Sequence, residues 1–307
     1  MISIELWVGL AIGAAVAQTA RNAIAQSVST QISPALNSWS RFAFCLPFAA
    51  SACALVMASE GIPRLPPSFF AFCLATAITQ LLGNVALIAA FRSGGFGEAI
   101  VFHKLEVLIA AIAGALLFSE YPTALGGLGI LTCGVGVLWI NLGRESDATS
   151  WSRIFRFGRA GGLALLCASL LVLASFALKA ANTVVSDANI GIAEGGFGAP
   201  VQTLFHTTWI EVVLLSVWIV AREPASFRNV SRHWRRMALI GSASFSASIC
   251  WFWAYSLTLV AYVKAVGQIE ALLAVALGIR LLGERNLIRQ LPGILLVTAG
   301  IVLVLLG

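Results

Sequence analysis

Residues 103–140 read HKLEVLIAAIAGALLFSEYPTALGGLGILTCGVGVLWI, and residues 267–305 read GQIEALLAVALGIRLLGERNLIRQLPGILLVTAGIVLVL. The two stretches match at a constant offset of 164 residues. The matched positions are Glu106 with Glu270, Glu120 with Glu284, Gly129 with Gly293, Gly136 with Gly300, and Ala90-Phe91 with Ala254-Tyr255. Five coincidences at one offset predict an internal repeat, which decides how the rest of the chain is interpreted.

Apolar runs fill almost the whole chain around this repeat. The sequence is 59% hydrophobic and 10% charged, whereas soluble domains carry about 25% charged residues. About 20 apolar residues are enough to cross a bilayer as a helix. We predict ten such runs, at residues 3–26, 35–58, 68–91, 97–118, 123–142, 160–181, 198–221, 236–258, 262–282 and 288–306. Because the runs are continuous and not alternating, the predicted fold is an all-α integral membrane protein and not a barrel.

The ten runs also fix how the two copies of the repeat are related. The offset spans about five runs, and an odd number of crossings brings the second copy into the membrane from the opposite side. The predicted architecture is therefore ten transmembrane helices in two inverted five-helix repeats, residues 1–142 and 160–307, with a basic connecting loop at 143–159. Inverted repeats are typical of secondary transporters, whose halves alternate access to a site near the bilayer midplane. The first run lacks a basic segment before it, so we expect a retained helix and not a signal peptide.

The sequence resembles the ten-helix EamA-type branch of the drug/metabolite transporter superfamily over essentially all of its length. In that family the fourth and ninth helices commonly carry a Leu-Glu-Pro motif, followed some way on by Gly-Glu. The matching positions are Leu105-Glu106 with Ser119-Glu120, and Ile269-Glu270 with Gly283-Glu284. Val107 and Ala271 stand where the family has its proline. The resemblance implies a membrane transporter and favours export of its substrate.

The distribution of arginine predicts an orientation in the membrane. Only Arg64 is assigned to an even-numbered loop. The arginines assigned to odd-numbered loops are Arg21, Arg41, Arg92, Arg144, Arg153, Arg156, Arg159, Arg222, Arg228, Arg232, Arg235, Arg236, Arg280, Arg285 and Arg289. Because basic loops stay in the cytoplasm, we expect a multi-pass protein of a bacterial-type cytoplasmic (inner) membrane with both termini outside. Members of the resembled family are generally described with both termini cytoplasmic. The net charge of +6 is assigned to orientation and lipid headgroups, and no nucleic-acid partner is expected.

Polar residues inside the apolar runs are the candidate site. Charged groups at bilayer depth cost about 2.5–3.5 kcal/mol on insertion scales, so they should face a cavity and find partners. Lys104 and Glu106 are two residues apart and point to different faces. Pairing would therefore run between helices, as Lys104 with Glu270 or Lys264 with Glu106. The candidates for substrate binding are Asn22, Gln80, Asn84, His103, Lys104, Glu106, Lys179, Trp251, Tyr255, Lys264, Gln268 and Glu270, and the candidates for proton coupling are Glu106 and Glu270.

Structural roles stay open for several of these residues. On that alternative the lysine–glutamate pairs only fix helix packing. Trp251 and Tyr255 share one helical face, which is either an interfacial belt or a gate. His103 is either a proton relay or a hydrogen-bonded packing residue. Glu120 and Glu284 lie where helices 4 and 9 end, so we expect them to cap helices or to lie at the interface.

Ammonium, carboxylate, amide and aromatic groups together suit a small zwitterion or an amine-bearing metabolite. We expect a secondary transporter that exports such a compound, an amino acid or a relative, by alternating access, with the proton as a candidate coupling ion. The alternative is an intramembrane lipid-handling protein or enzyme, whose buried Lys and Glu are catalytic or purely structural. The sequence has no P-loop, HExxH or GxSxG motif, so we expect neither ATP-driven transport nor enzyme activity, and no cofactor or metal. One chain is sufficient as a transport unit in the bilayer, and a dimer is allowed.

Overall fold

The computed structural model describes residues 5–93, 99, 102–144, 158–189, 195–282 and 287–307. These residues form helices, and none of them is in a strand. The α-helices are α1 Leu6–Val28, α2 Pro34–Ala43, α3 Leu46–Glu60, α4 Pro67–Arg92, α5 Glu106–Leu117, α6 Ala124–Arg144, α7 Arg159–Ala188, α8 Gly198–Arg222, α9 Arg228–Leu257, α10 Val260–Gly267, α11 Ile269–Leu282 and α12 Leu287–Leu306. One 3₁₀ turn, Pro224–Phe227, precedes α9. The all-helical fold expected from the apolar runs is confirmed.

Seven helical stretches in the described part of the chain are long and apolar enough to cross a membrane. They are Pro34–Glu60, Pro67–Arg92, Ala124–Asn141, Arg159–Ala188, Gly198–Arg222, Pro224–Leu257 and Arg289–Leu306. Each coincides with one of the predicted runs. The other three runs, predicted to begin at residues 3, 97 and 262, are also helical where the structure describes them, apart from short interruptions. Most of the predicted basic loop at 143–159 lies outside the described residues.

Three of the predicted runs are broken. Phe44 and Cys45 separate α2 from α3. Pro47 accounts for this break, because its nitrogen has no hydrogen to donate back along a continuous helix. The fourth run breaks at Leu105, just before α5, and the ninth breaks at Gln268, between α10 and α11.

The breaks in the fourth and ninth runs have the same geometry without a proline. Leu105 has φ −66° and ψ −5°, and Gln268 has φ −64° and ψ −8°. In each case the amide bonds to the carbonyl three residues earlier, at 3.3 Å for Leu105 and 3.1 Å for Gln268. Such a 3₁₀ turn inside a helix often marks a hinge. The two positions agree with the repeat offset to within one residue.

The described helices pack into two compact units, and each unit draws on both halves of the chain. Unit 1 comprises Met1–Ile78 and Ala177–Leu257, and unit 2 comprises Thr79–Phe176 and Thr258–Gly307. The core of unit 1 includes a buried apolar cluster from α1, α2, α8 and α9, formed by Val28, Ile32, Leu36, Ile219, Met237 and Ile240. The core of unit 2 includes a cluster from α6, α11 and α12, formed by Val137, Ile140, Ala271, Val275 and Val297.

Helices α6 and α12 of unit 2 touch backbone to backbone at four glycines. Gly129 faces Gly300, and Gly136 faces Gly293. A Cβ atom on any of the four would lie 2.6–2.7 Å from the nearest backbone atom of the opposite helix. The contacts run in antiparallel order, since the first glycine of each helix meets the last glycine of the other. The sequence repeat equates these same four positions.

Helix α9 begins earlier than the apolar run predicts, which corrects the assignment of its arginines. The run was predicted to start at residue 236, but the helix starts at Arg228. Arg232, Arg235 and Arg236 therefore belong to its first turns and not to a loop. The side chains of these three residues and of Arg228 are exposed, so the four arginines form a basic surface at the N-terminal end of α9.

Candidate functional site

Two lysine–carboxylate pairs lie at the helix breaks of unit 2. Lys264 Nζ donates a hydrogen bond to Glu106 Oε2 at 3.3 Å. Lys104 Nζ lies 3.9 Å from Glu270 Oε2. Both pairings between helices that the sequence suggested are therefore present. The side chains of Lys264 and Glu106 are 8% and 16% exposed, against 18% and 22% for Lys104 and Glu270, so the first pair is the more buried.

The helix breaks place these charges at helix ends of matching polarity. Glu106 is the first residue of α5 and Glu270 the second residue of α11. A carboxylate is stabilised there by the free N–H groups and the positive end of the helix dipole. Lys264 lies in the last turn of α10, where the dipole favours a cation. Each break thus creates a new helix start in the middle of an apolar run and puts a carboxylate on it.

Two further predicted residues flank these pairs along the chain. His103 Nδ1 lies 3.6 Å from Cys167 Sγ on α7, which is a packing contact within unit 2. Gln268 Nε2 donates to the Lys264 carbonyl at 3.4 Å, while Gln268 Oε1 is buried without a partner. An unpaired buried amide oxygen is uncommon, and here it leaves an acceptor available at the break between α10 and α11.

Glu120 caps helix α10. Its Oε2 accepts a hydrogen bond at 2.9 Å from the backbone N–H of Val260, the first residue of that helix. Two residues further on, Tyr262 Oη accepts a hydrogen bond at 3.0 Å from the backbone N–H of Thr123. The predicted capping role of Glu120 is confirmed, and the helix that it caps belongs to the other predicted repeat. Glu284 lies outside the described residues.

The other predicted site residues include an ordered aromatic pair in unit 1. Trp251 and Tyr255 on α9 stack with ring centroids 5.8 Å apart and planes inclined by 17°. Trp251 Nε1 donates to Gln18 Oε1 of α1 at 3.2 Å, so the ring is fixed by a hydrogen bond inside the protein. Lys179 is half-buried on α7 in unit 1, and Gln80 and Asn84 are half-buried on α4 in unit 2.

The expectation that Arg21 and Arg41 border the first loop is wrong. Helix α1 continues to Val28 and α2 begins at Pro34, so both arginines lie inside helices. Arg21 is 7% exposed, and its Nη2 and Nε donate to Asn22 Oδ1 at 2.9 and 3.2 Å. Arg41 Nε is buried without a hydrogen-bond partner.

Glu211 was missed as a site residue. It is 2% exposed inside unit 1, its Oε1 has no hydrogen-bond partner, and it interacts electrostatically with Arg41. The signal in the sequence was its spacing from Thr207 and Thr203, four and eight residues earlier on α8. Residues four apart share a helical face, so this pattern is a polar stripe within an apolar helix.

A profile of the EamA-like transporter family matches residues 5–142 and again residues 165–306. The chain belongs to the EamA-like transporter family. A solved structure described only as the crystal structure of a protein superposes on this EamA-like chain with a TM-score of 0.71 and 15% identity, covering 97% of this chain and 95% of that chain. That likeness shows a shared fold. No curated protein matches the sequence.

Membership in the family makes the chain a multi-pass membrane transporter of the drug/metabolite type. Members of the EamA-like family are transporters and not enzymes, so the buried lysines and carboxylates are interpreted as parts of a carrier. The family profile matches the chain twice, which agrees with the internal repeat in the sequence.

Proposed function

We propose that this EamA-like transporter is a secondary carrier that exports a small polar metabolite, an amino acid or a related amine-bearing zwitterion, by alternating access. The observation that carries the proposal is the pair of lysine–glutamate contacts at the two helix breaks of unit 2. A buried charge that loses its partner is strongly destabilising. A zwitterion brings both charges at once, so it can displace the partners of such pairs and leave no buried charge uncompensated.

The proposed architecture is ten transmembrane helices in two inverted repeats. The glycine contacts of α6 and α12 support it. The repeat makes Gly129 equivalent to Gly293 and Gly300 equivalent to Gly136. The contact between Gly129 and Gly300 is therefore equivalent to the contact between Gly293 and Gly136. Both contacts exist, and a two-fold rotation relating antiparallel helices has this property. An axis of that kind in the membrane plane is what inverted repeats require.

The broken helices support the alternating-access part of the proposal. Interrupted transmembrane helices form the binding sites of many secondary transporters, because their ends present free backbone groups and dipole charge to ligands. Leu105 and Gln268 supply such interruptions at nearly equivalent points of the two repeats. We assign them the role of hinges around which the ion pairs open and close.

A proton is the proposed coupling ion, with Glu106 and Glu270 as its carriers. A carboxylate that takes up a proton loses the charge that holds its lysine, so protonation and pairing exclude one another. Each protonation event would thereby release one lysine for the substrate. Transport by E106Q and E270Q variants that stayed fully coupled to the proton gradient would remove this part of the proposal.

The proposed location is a bacterial-type cytoplasmic membrane, with both termini outside. Arg21 and Arg41 no longer count toward that orientation, because they lie inside helices. The exposed arginines at the end of α8 and the start of α9 still favour a cytoplasmic position for that connection. The orientation is tested with reporter domains fused to either terminus, whose activity is assayed on each side of the membrane.

Thermal unfolding of the purified protein against a ligand panel tests the proposed function. The panel contains amino acids, amines, nucleobases and organic acids. A ligand at 100 times its dissociation constant stabilises the native state by about 2.7 kcal/mol. We expect an amino acid or amine to raise the melting temperature of the wild type, and E106Q or E270Q to lose that effect.

The matched control is Glu60→Gln, which changes an exposed carboxylate at the end of α3. The shift should survive this substitution. If no compound shifts the melting temperature while E106Q and E270Q lower it sharply, the ion pairs only fix packing, and the lipid-handling alternative takes over.

A further inference from the structure

Unit 1 contains a concentration of buried polar atoms without hydrogen-bond partners. The atoms are Asn37 Oδ1, Arg41 Nε, Asn182 Oδ1, Gln202 Nε2, Thr203 Oγ1, Thr207 Oγ1 and Glu211 Oε1. Within the described part of unit 2 the same condition holds only for Gln268 Oε1 and Gln290 Oε1. Folded proteins leave few buried polar atoms unpaired, so this concentration points to something that is bound there.

Three of these atoms form a stripe along one face of α8. Thr203, Thr207 and Glu211 follow one another at four-residue steps of about 6 Å along the helix, and their exposed fractions are 0%, 1% and 2%. Threonines in helices often donate a hydrogen bond from the hydroxyl to the carbonyl four residues earlier. Those that do so here are Thr19, Thr76, Thr132, Thr183 and Thr298. Thr203 and Thr207 do not, although the Cys73 sulfur lies beside Thr207, so neither hydroxyl is held by a carbonyl of its own helix.

A cation on a neighbouring helix lies near the Glu211 end of the stripe. Arg41 of α2 interacts electrostatically with Glu211. A buried carboxylate and a buried guanidinium therefore lie within electrostatic range of each other in the interior of unit 1.

We propose that Arg41 and Glu211 bind the two charged ends of a zwitterion. Glu211 accepts the ammonium, and Arg41 donates to the carboxylate. In unit 2 the lysines and glutamates are paired with one another, whereas here the guanidinium has an unused donor and the carboxylate an unused acceptor. An ammonium carries three donors, and a guanidinium binds a carboxylate through two parallel bonds. Thr207 and Thr203 extend the site for a polar group on the ligand's side chain.

The inference rests on the proposed carrier function and adds to it a second zwitterion site, inside unit 1, with a recognition rule of its own. The rule is that each end of the ligand depends on a different residue. A crossed set of variants and analogues tests it. The probes are the L-amino acids that bind the wild type, each paired with the primary amine that lacks its carboxylate and with the carboxylic acid that lacks its amine.

Dissociation constants from calorimetry in detergent supply the readout. We expect Glu211→Gln to weaken the amino acid and the amine by about 30-fold or more, because a charged group loses its buried partner, and to leave the carboxylic acid unchanged. Arg41→Gln should do the reverse. Glu211→Asp keeps the charge and should retain part of the amine affinity. The matched controls are Glu60→Gln and Arg222→Gln, which remove exposed charges of the same unit and should change nothing.

Three results would overturn the inference. Equal loss for all three analogues in a variant that elutes as a single folded species would make the pair structural. Unchanged affinities in both variants would mean that ordered water satisfies these atoms. A wild type that transports only compounds without an ammonium–carboxylate pair would refute this site and the zwitterion part of the proposed function and keep only the carrier, whereas the absence of any transported compound would refute the carrier as well.

Discussion

Removal of one charge from the Lys264–Glu106 pair should destabilise the protein more than removal of both. In Lys264→Met, Glu106 stays 16% exposed and loses the ammonium that lies 3.3 Å from its oxygen. Loss of one partner of a buried ion pair costs about 3–5 kcal/mol. We expect the lower end, about 3 kcal/mol, because the N-terminus of α5 still stabilises the carboxylate.

The double variant K264M/E106Q leaves no unpaired charge. Replacing a whole buried pair by neutral groups of similar size is often nearly neutral, so we expect its stability to lie within about 1 kcal/mol of the wild type. The two substitutions should therefore show a coupling energy of about 2 kcal/mol or more. Lys104→Met offers an internal comparison. Its pair is longer, at 3.9 Å, and more exposed, at 18% and 22%, so we expect a loss of about 1 kcal/mol or less.

Equilibrium unfolding in mixed micelles, followed by tryptophan fluorescence, measures these differences. The wild type, both single variants, the double variant and K104M are compared at one detergent composition. Additive losses in K264M, E106Q and the double variant would refute the reasoning, since they would mean that the two side chains do not act on one another. A loss in K104M as large as that in K264M would refute the argument from distance and exposure.

Three further predictions concern packing and helix ends. Gly136→Ala should cost about 1–3 kcal/mol in the same unfolding assay, because its new methyl group would lie 2.6 Å from the backbone of α12. Gly127→Ala, which meets nothing within 4 Å, should instead stabilise the protein by about 0.5–1 kcal/mol. Equal effects of the two substitutions would contradict the close contact between α6 and α12. Glu120→Ala should speed hydrogen exchange in the first turn of α10 and cost about 1 kcal/mol, and unchanged exchange there would contradict its role as a cap. Ser119→Gly should raise the melting temperature, because Ser119 has φ 54°, where a side chain is strained by about 1–2 kcal/mol; a lower melting temperature would contradict that account.

The membrane class, the internal repeat and the pairing of the buried lysines with glutamates follow from the sequence, because each leaves a pattern of residue types and spacings. Apolar runs of spanning length fixed the helices, and the offset between Glu106 and Glu270 located the repeat. The cost of an unpaired charge in an apolar surrounding then restricted how Lys104 and Lys264 could be paired. Glu120 was expected to cap a helix because it follows the end of one, but only the fold brings it to the start of α10.

What the sequence did not reveal lies mainly in tertiary packing. The break at Gln268 follows Gly267, the last residue of α10, but a single glycine inside a helical pattern is tolerated and does not by itself predict a break. Pro47, by contrast, is a signal in the sequence for the break between α2 and α3, inside an otherwise continuous apolar run. Arg41 was placed at the border of a loop, and the buried Glu211 that lies within electrostatic range of it comes from a helix about 170 residues away in the sequence.

Counterflow in proteoliposomes tests the central claim of zwitterion transport most directly. Vesicles containing the purified protein are loaded with a millimolar mixture of unlabelled L-amino acids and diluted into the same labelled mixture, without nucleotide. The account predicts transient accumulation of intact label, abolished in Glu106→Gln and kept in Glu60→Gln. No accumulation beyond that of protein-free vesicles, or recovery of the label in chemically altered form, would contradict it.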